Sequence, residues 1–324
     1  MKNKYKILVT GVGALIGQGI CKNLKKKNNV VVFGLDKRAT ILSSIFCDQF
    51  YQKPNHSEDD PRYLQFILDI VISQKINLII PGISVDVIFF DRYKKNFESL
   101  GCKVCVNSSK LISLTSDKFL FHKFLKKSGF LTIPTTTSKS WDYVNRKLGS
   151  PPYLLKPRCG EGGQGHVKIF DEIDFNYWIQ KSNPKWIIQR IIGTNDDEFT
   201  VGAFGIGFGN LTKDIIILKR KLSRAGNTAS AEQVNDKEIY NYTLKLANFF
   251  QPVGPTNFQF RRENKSLYLL EINPRFSSST SIRHEFGYNE VEMCIDFFVE
   301  KIQPSIQRII SGTAERYLED IIIV

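Results

Sequence analysis

The sequence predicts an α/β segment followed by an α+β segment. Three observations carry that expectation. Strand and helix patterns alternate over residues 1–110, the alternation stops at a capped helix near Ser116, and the later chain turns to apolar strands that end in the hairpin of residues 255–284.

In the first segment, residues 6–10 form a strand, 17–27 a helix, and 30–35 a second strand closed by Asp36. Residues 63–74 follow as helix, 77–81 as a buried strand, 86–100 as helix and 103–107 as strand. Parallel neighbours need a crossover between them, so this alternation implies a mainly parallel sheet. The first turn, TGVGALIG, places Gly11, Gly13 and Gly17 in a GxGxxxG spacing, one residue longer than the dinucleotide fingerprint. Two uses fit it: NAD binding with Asp36 on the ribose, or close packing of strand against helix.

From Ser116, an expected N-cap, Phe119, Leu120, Phe124 and Leu125 repeat on one helical face until Ser128-Gly129. Turn-rich sequence follows, at Pro134–Ser138 and Gly149–Pro152.

A chain of 324 residues is long for one core and suggests two or three domains. With 42% hydrophobic and 24% charged residues it is globular in composition. Its longest apolar runs, residues 67–72 and 76–80, fall far short of the about 20 residues of a membrane span. The basic, then apolar N-terminus is broken by Gly11, Gly13, Gly17 and Gly19, so it reads as strand, loop and helix instead of a secretory signal, and a cytoplasmic protein is expected. The 6 cysteines are scattered. Only Cys102 and Cys105 make a CxxC, on opposite faces of a strand and without a second pair, so free buried thiols are expected. The net charge of +13 favours anionic partners. With no arginine-rich arm, zinc finger or RNA-binding aromatic pattern, it points to nucleotides or phosphorylated metabolites over nucleic acid.

Phosphate chemistry is written most clearly after Pro151-Pro152. A short strand, residues 153–156, ends in Lys156-Pro157-Arg158, and Gly160, Gly162, Gly163 and Gly165 follow before the next strand at 167–170. Bare N–H groups of such a loop can wrap phosphate oxygens, and Lys156 is placed to neutralise them. No GK[ST] follows, so this is not a Walker loop. Taken without Lys-Pro-Arg, it would be a mobile surface hairpin. The apolar strand 186–192 then leads to Glu198, an arrangement that suits an adenine slot with a carboxylate for the ribose, or simply a loop between strands.

In the hairpin 255–284, Glu271 and Asn273 share one strand face. Gln259 joins them if the hairpin loop has an odd number of residues. One carboxylate and two amide oxygens suit Mg²⁺ or Mn²⁺ and not zinc. Pro274 ends the strand, and Arg275 brings a fork for phosphate or carboxylate. An ordinary hairpin with a polar end is the plainer alternative.

Together, in order and spacing, these segments resemble the ATP-grasp superfamily, and most of all an ATP-binding half-module of the carbamoyl phosphate synthetase large subunit. The resemblance covers the whole chain. It implies a Rossmann-like pre-ATP-grasp domain over 1–110, an ATP-grasp small lobe with the flap over 111–185, and a large lobe with the metal site over 186–324. Position by position, Lys118 in SDKF and Lys156 in LLKP look like the cations on the ATP phosphates, and Gly160–Gly165 like the flap. Gln189, Arg190, Ile191 and Ile192 look like the adenine segment and Glu198 like the ribose ligand. Gln259, Glu271 and Asn273 look like the magnesium ligands, and Arg275 is similar to the arginine that steadies the transferred phosphate. Arg190 stands where an acidic residue is usual. Ser277-Ser278-Ser279-Thr280 stands where the synthetase carries a second arginine, which argues against carbamate chemistry. One module without a tandem copy, allosteric domain or glutaminase excludes a complete synthetase.

The function so implied is a carboxylate–amine ligase that forms an acylphosphate from ATP, with Lys156 and Arg275 at the transfer. Small, anionic acid and amine substrates are expected, and homodimerisation is the habit of the family. The acid is expected between Arg220, Arg224 and Arg283, which flank the polar segments. His122 is expected at the surface, with His166 and His284 nearer the cleft. A non-catalytic ATP-binding protein and an NAD-dependent sugar-modifying enzyme are the alternatives. The second has only Tyr143–Lys147 at YxxxK spacing, in the turn-rich stretch.

Overall fold

The computed structural model describes residues 5–160, 165–181, 185–212, 214–306, 308–317 and 319–322. Gly162 and Gly163, expected in the flap, lie outside the described residues.

The first sheet holds β1 (Tyr5–Thr10), β2 (Val30–Asp36), β3 (Gln49–Gln52), β4 (Leu78–Pro81) and β5 (Lys103–Val104), all parallel, in the order β3-β2-β1-β4-β5. Around it run α1 (Leu15–Lys25), α2 (Ile41–Phe46), α3 (Pro61–Gln74), α4 (Ser84–Arg92) and α5 (Lys94–Glu98). The long helix expected over 86–100 is two helices, because Tyr93 leaves the helical region at φ −103°, ψ 14°. The strand β3 and the helix α2 carry too few periodic residues to be read from sequence.

The glycine turn after β1 is a packing device. A Cβ on Gly17 would stand 2.2 Å from the Gly11 carbonyl oxygen, and one on Gly82 would stand 2.3 Å from that of Thr10. The Asp36 carboxylate accepts the Gly13 N–H at 2.8 Å, so the side chain that would read a ribose closes the turn instead.

Next come α6 (Ser109–Ser116) and α7 (Lys118–Lys127). The cap of α7 is Asp117 and not Ser116: its carboxylate accepts from Phe119 N at 2.9 Å and Leu120 N at 3.0 Å. The second sheet is antiparallel, with β6 (Thr135–Thr136), β7 (Tyr153–Pro157), β8 (Val167–Ile169) and β9 (Trp186–Arg190) in the order β6-β9-β7-β8. With α8 (Trp141–Leu148) and α9 (Glu172–Lys181) it encloses its own core around Tyr153, Leu155, Phe175 and Ile188. The expected boundary at 185/186 falls one strand early, since Trp186 and Ile188 of β9 complete this core.

The third sheet runs β15-β14-β10-β12-β13-β16, with β11 on β10. Its strands are β10 (Glu198–Gly207), β11 (Asn210–Leu211), β12 (Ile216–Leu222), β13 (Thr228–Gln233), β14 (Val253–Glu263), β15 (Ser266–Asn273) and β16 (Thr313–Glu315). One face packs Val201, Phe258 and Phe260 on Ile239 and Leu246 of α10 (Lys237–Phe250). The other face meets α11 (Thr280–Glu285), α12 (Glu290–Cys294) and the π-helical turn Ile295–Glu300. A single core joins this face to the parallel sheet, combining Ile7, Val9 and Ile20 with Phe204, Leu218 and Met293. Cys102 and Cys105 are buried free thiols, as expected, and Cys105 Sγ lies 3.3 Å from Cys294 Sγ. No helix among the described residues is long and apolar enough to cross a membrane.

Candidate active site

The site forms where the second sheet faces the end of β15. A cavity of about 60 Å³ there is lined by Lys118, His122, Lys156, Gly160, Gln189, Glu271 and Asn273, among others. Residues far apart in sequence thus come together: Lys156 and a flap glycine from the second sheet, Lys118 from α7, whose Phe121 and Leu125 pack into the core of the third sheet, and the carboxylate and amide from β15.

Asp117 and Arg158, which the sequence did not single out, hold the cationic side. Arg158 Nε lies 3.1 Å from Asp117 Oδ2, and Lys118 N donates to the Arg158 carbonyl at 2.9 Å. This clamp fixes the start of α7 to the end of β7 and so sets Lys118 beside Lys156. Burial pushes the Asp117 carboxyl up, but the Arg158 bridge and the helix N–H donors outweigh it and hold the pKa below its ordinary value. The sequence sign was Asp117 at the start of an apolar helix and Arg158 after Lys-Pro. Lys118 Nζ donates to the Gly160 carbonyl at 2.6 Å. Desolvation lowers the Lys156 ammonium to about 8; Glu271 opposes this, and Lys118 and Arg261 add to it.

His122 lines the cavity, contrary to the expected surface position, because the face of α7 that carries Phe121 and Leu125 turns inward. Burial and then Lys147, Lys126 and Lys156 lower its pKa to about 4. The register Leu155↔Val167 places His166 across from Lys156. Its pKa also falls to about 4, through desolvation, Lys156 and Lys118, with Glu271 opposing. Both imidazoles are neutral at pH 7. His284 lies on α11, where burial and then Lys26 lower its pKa.

On the anionic side, the hairpin turn has two residues, Asn264 and Lys265, and not an odd number. The parity comes from a bulge: Phe260 pairs with Leu269 but Gln259 with Glu271, leaving Leu270 as the extra residue. Gln259, Glu271 and Asn273 therefore do share the face. Asn273 Nδ2 donates to Glu271 Oε1 at 2.8 Å. Gln259 is engaged otherwise, because its Oε1 accepts from Arg220 Nη2 at 2.8 Å. A guanidinium at that distance disfavours a metal ion on the same oxygen, unlike the expectation for Gln259.

Glu198, expected to meet a ribose, is 2% exposed. Arg220 Nη2 donates to its Oε1 at 2.8 Å and Arg261 Nη2 to its Oε2. The cross-strand register inside the sheet brings these three together, and both carboxylate oxygens are taken. Arg220 is likewise spent, on Glu198, Gln259 and Thr228. Arg283 is fully buried against Gly202, ion-paired to Glu290 at 3.0 Å and hydrogen-bonded to Thr200 at 3.0 Å and to Asn257. Neither arginine presents a fork to a substrate acid. Arg224 is exposed in the turn between β12 and β13, outside the cavity. Arg190 pairs with Glu263, and Arg261 donates to the Ile192 carbonyl at 3.2 Å, so the link from β9 through Ile191 and Ile192 to β10 is tied to β14. Arg275 reaches the first sheet's side, donating to Ser84 Oγ at 2.7 Å and to the Phe276 carbonyl at 2.8 Å.

Residues 184–320 match the family described as "ATP-grasp in the biosynthetic pathway with Ter operon". Over that segment the chain is similar to the ATP-grasp family. Residues 7–105 match the "PylC-like, N-terminal domain" that precedes the ATP-grasp part. Among curated relatives, the carbamoyl phosphate synthase large chain of Clostridium botulinum is 28% identical over 314 residues, covering 85% of this chain and 27% of its own length. That of Clostridium perfringens is 27% identical, covering 86% and 27%. The chain thus spans about a quarter of the length of these relatives. Among solved structures, N5-carboxyaminoimidazole synthetase from Staphylococcus aureus, complexed with ADP, superposes with a TM-score of 0.75 at 18% identity, covering 98% of this chain and 83% of that one. The biotin carboxylase domain dimer of Hydrogenobacter thermophilus 2-oxoglutarate carboxylase, with MgADP and bicarbonate, gives a TM-score of 0.68 at 16% identity, covering 94% and 72%. These likenesses place the Rossmann-like sheet and the two-lobed ATP-grasp fold as the sequence predicted.

Proposed function

We propose that the chain is an ATP-dependent ligase that activates a small carboxylate as an acylphosphate, releases ADP and phosphate, and joins the acyl group to an amine. One observation carries this: Lys156 and Gly160 of the second sheet meet Lys118 of α7 and Glu271 and Asn273 of β15 around a single cavity. Structural relatives with ADP or MgADP support a nucleotide in that place.

Among the described residues no group of three or more His, Cys, Asp or Glu could hold a metal ion by itself. One carboxylate and one amide oxygen are hard donors that fit Mg²⁺ or Mn²⁺. Glu271 and Asn273 would hold it, and the ion supplies charge neutralisation on the transferring phosphoryl group. Lys156 and Lys118 bind and orient the phosphates, the bare amides near Gly160 and Gly165 cover them, and Arg275 steadies the transferred phosphoryl group as the acid attacks in line. With His122 and His166 neutral, the amine is expected to arrive unprotonated and displace phosphate without an imidazolium donor. A homodimer is part of the proposal, as in the biotin carboxylase domain dimer. The basic net charge of +13 suits an anionic acid.

The test is ADP release with Mg²⁺ across a panel of acids and amines. Glu271→Gln should lower turnover at least about a hundredfold while leaving the melting temperature unchanged. Wild-type turnover in that variant would remove Glu271 from the metal. ATP binding without turnover on any acid would leave a nucleotide-binding protein.

A further inference from the structure

The C-terminal strand brings one more cation to the sheet. β16 pairs with β13 through Ser230↔Glu315, and the next residue, Arg316, donates its backbone N–H to the Ala229 carbonyl at 2.8 Å. Its guanidinium turns inward. Nη1 donates to the Thr228 carbonyl at 2.7 Å, and Nη2 to the carbonyl of Ser278, inside the serine run that follows Arg275.

Arg158, Arg190, Arg220, Arg261, Arg262 and Arg283 each face a carboxylate. Arg316 faces none among the described residues. Burial lowers its pKa, and no neighbouring acid offsets the effect. A half-buried charge without a counter-ion costs free energy that an anion would recover. Two of the five N–H groups of a guanidinium are taken by the carbonyls, which fix the plane and leave donors for a forked contact. A polar chain leads from there to the cavity. Thr228 Oγ1 meets Ser279 Oγ at 2.9 Å, Arg220 joins Thr228 at 3.3 Å to Gln259 at 2.8 Å, and Gln259 pairs with Glu271 across the strands.

We propose that Arg316 is the anchor for the carboxylate of the acid substrate, seated against Ser278. This rests on the ligase assignment above. It takes over the role expected of Arg220 and Arg283, both of which are spent on internal partners. A carboxylate is favoured over phosphate because the nucleotide phosphates already have Lys118 and Lys156 at the cavity.

The test uses the full chain with ADP–Mg²⁺ and carbon-13 acetate as the probe, read by saturable broadening of the carboxylate resonance at constant ionic strength. Wild type should broaden it. Arg316→Gln should weaken acetate binding about tenfold or more, and Arg316→Lys, which keeps charge but loses the fork, should fall between. Ser278→Asp, which supplies an internal anion, should displace acetate without unfolding the chain, and it serves if Arg316→Gln does not fold. ATP–Mg²⁺ binding, followed by thermal shift, should be the same in all folded variants. Wild-type acetate binding in Arg316→Gln overturns the proposal, as does the absence of saturable broadening in wild type or a preference for inorganic phosphate of more than tenfold. Failure of wild type to bind ATP–Mg²⁺ would instead sink the ligase assignment, with the acetate result still reporting on Arg316.

Discussion

Lys156 and Asp86 show how far burial moves single groups here. Without nucleotide, Lys156 titrates near 8, because its ammonium is desolvated beside Lys118. Polyphosphate restores the preference for the charged form, so binding must take up a proton as pH rises past 8. ATP affinity is therefore expected to fall by up to tenfold per pH unit above about 8. Calorimetry at pH 8.5 in buffers of different ionisation enthalpy should show proton uptake, lost in Lys156→Met. Asp86, 3% exposed, accepts from Thr10 Oγ1 at 2.5 Å, yet desolvation still lifts it from 3.8 to about 6. A carboxyl raised in the folded state contributes stability that is complete below 3.8 and is lost as pH rises through 6. Asp86→Asn should accordingly gain up to about 3 kcal/mol over wild type at pH 8, and nothing of that difference should remain at pH 3.5 in urea unfolding curves.

At the level of elements, α7 and the β14–β15 hairpin do most to build the site. Asp117 caps α7 and clasps Arg158 at the same time. Asp117→Ala should cost roughly 1–2 kcal/mol of stability. It should also raise the apparent Kd for ATP several-fold, since Lys118 is then held by a frayed first turn; unchanged nucleotide binding would show that α7 is fixed by packing alone. The hairpin was legible as two strands with a polar end, including its stop at Pro274. The two-residue turn with Asn264 at φ +53°, and the compensating bulge at Leu270, were not. A bulge adds one residue without changing the alternation on either side, so no periodicity marks it.

Across the whole molecule, the parallel sheet and the third sheet share a core, and Arg283 with Glu290 joins α11 and α12 to the sheet face. A Cβ on Gly202 would lie 2.8 Å from Arg283 Nη1. Gly202→Ala should therefore displace a buried ion pair and lower stability by about 3 kcal/mol or more in chemical denaturation, with the loss of β10 and α11 packing together. A loss below about 1 kcal/mol would mean that the guanidinium can move aside.

The sequence by itself determined the class of fold, the order of its parts and six of the residues around the cavity. Strand and helix periods and the setting of Lys156, Gly160, Glu271 and Asn273 are local properties of the chain, while Lys118 and Gln189 followed from its resemblance to the ATP-grasp superfamily. Only the tertiary structure decided how charges are spent. Glu198, Arg220, Gln259 and Arg283 are the same residue types whether they face a substrate or one another, and the cross-strand partners among Glu198, Arg220 and Gln259 lie 22 and 39 residues apart. Pairing at that separation is set by sheet register, which no local pattern encodes.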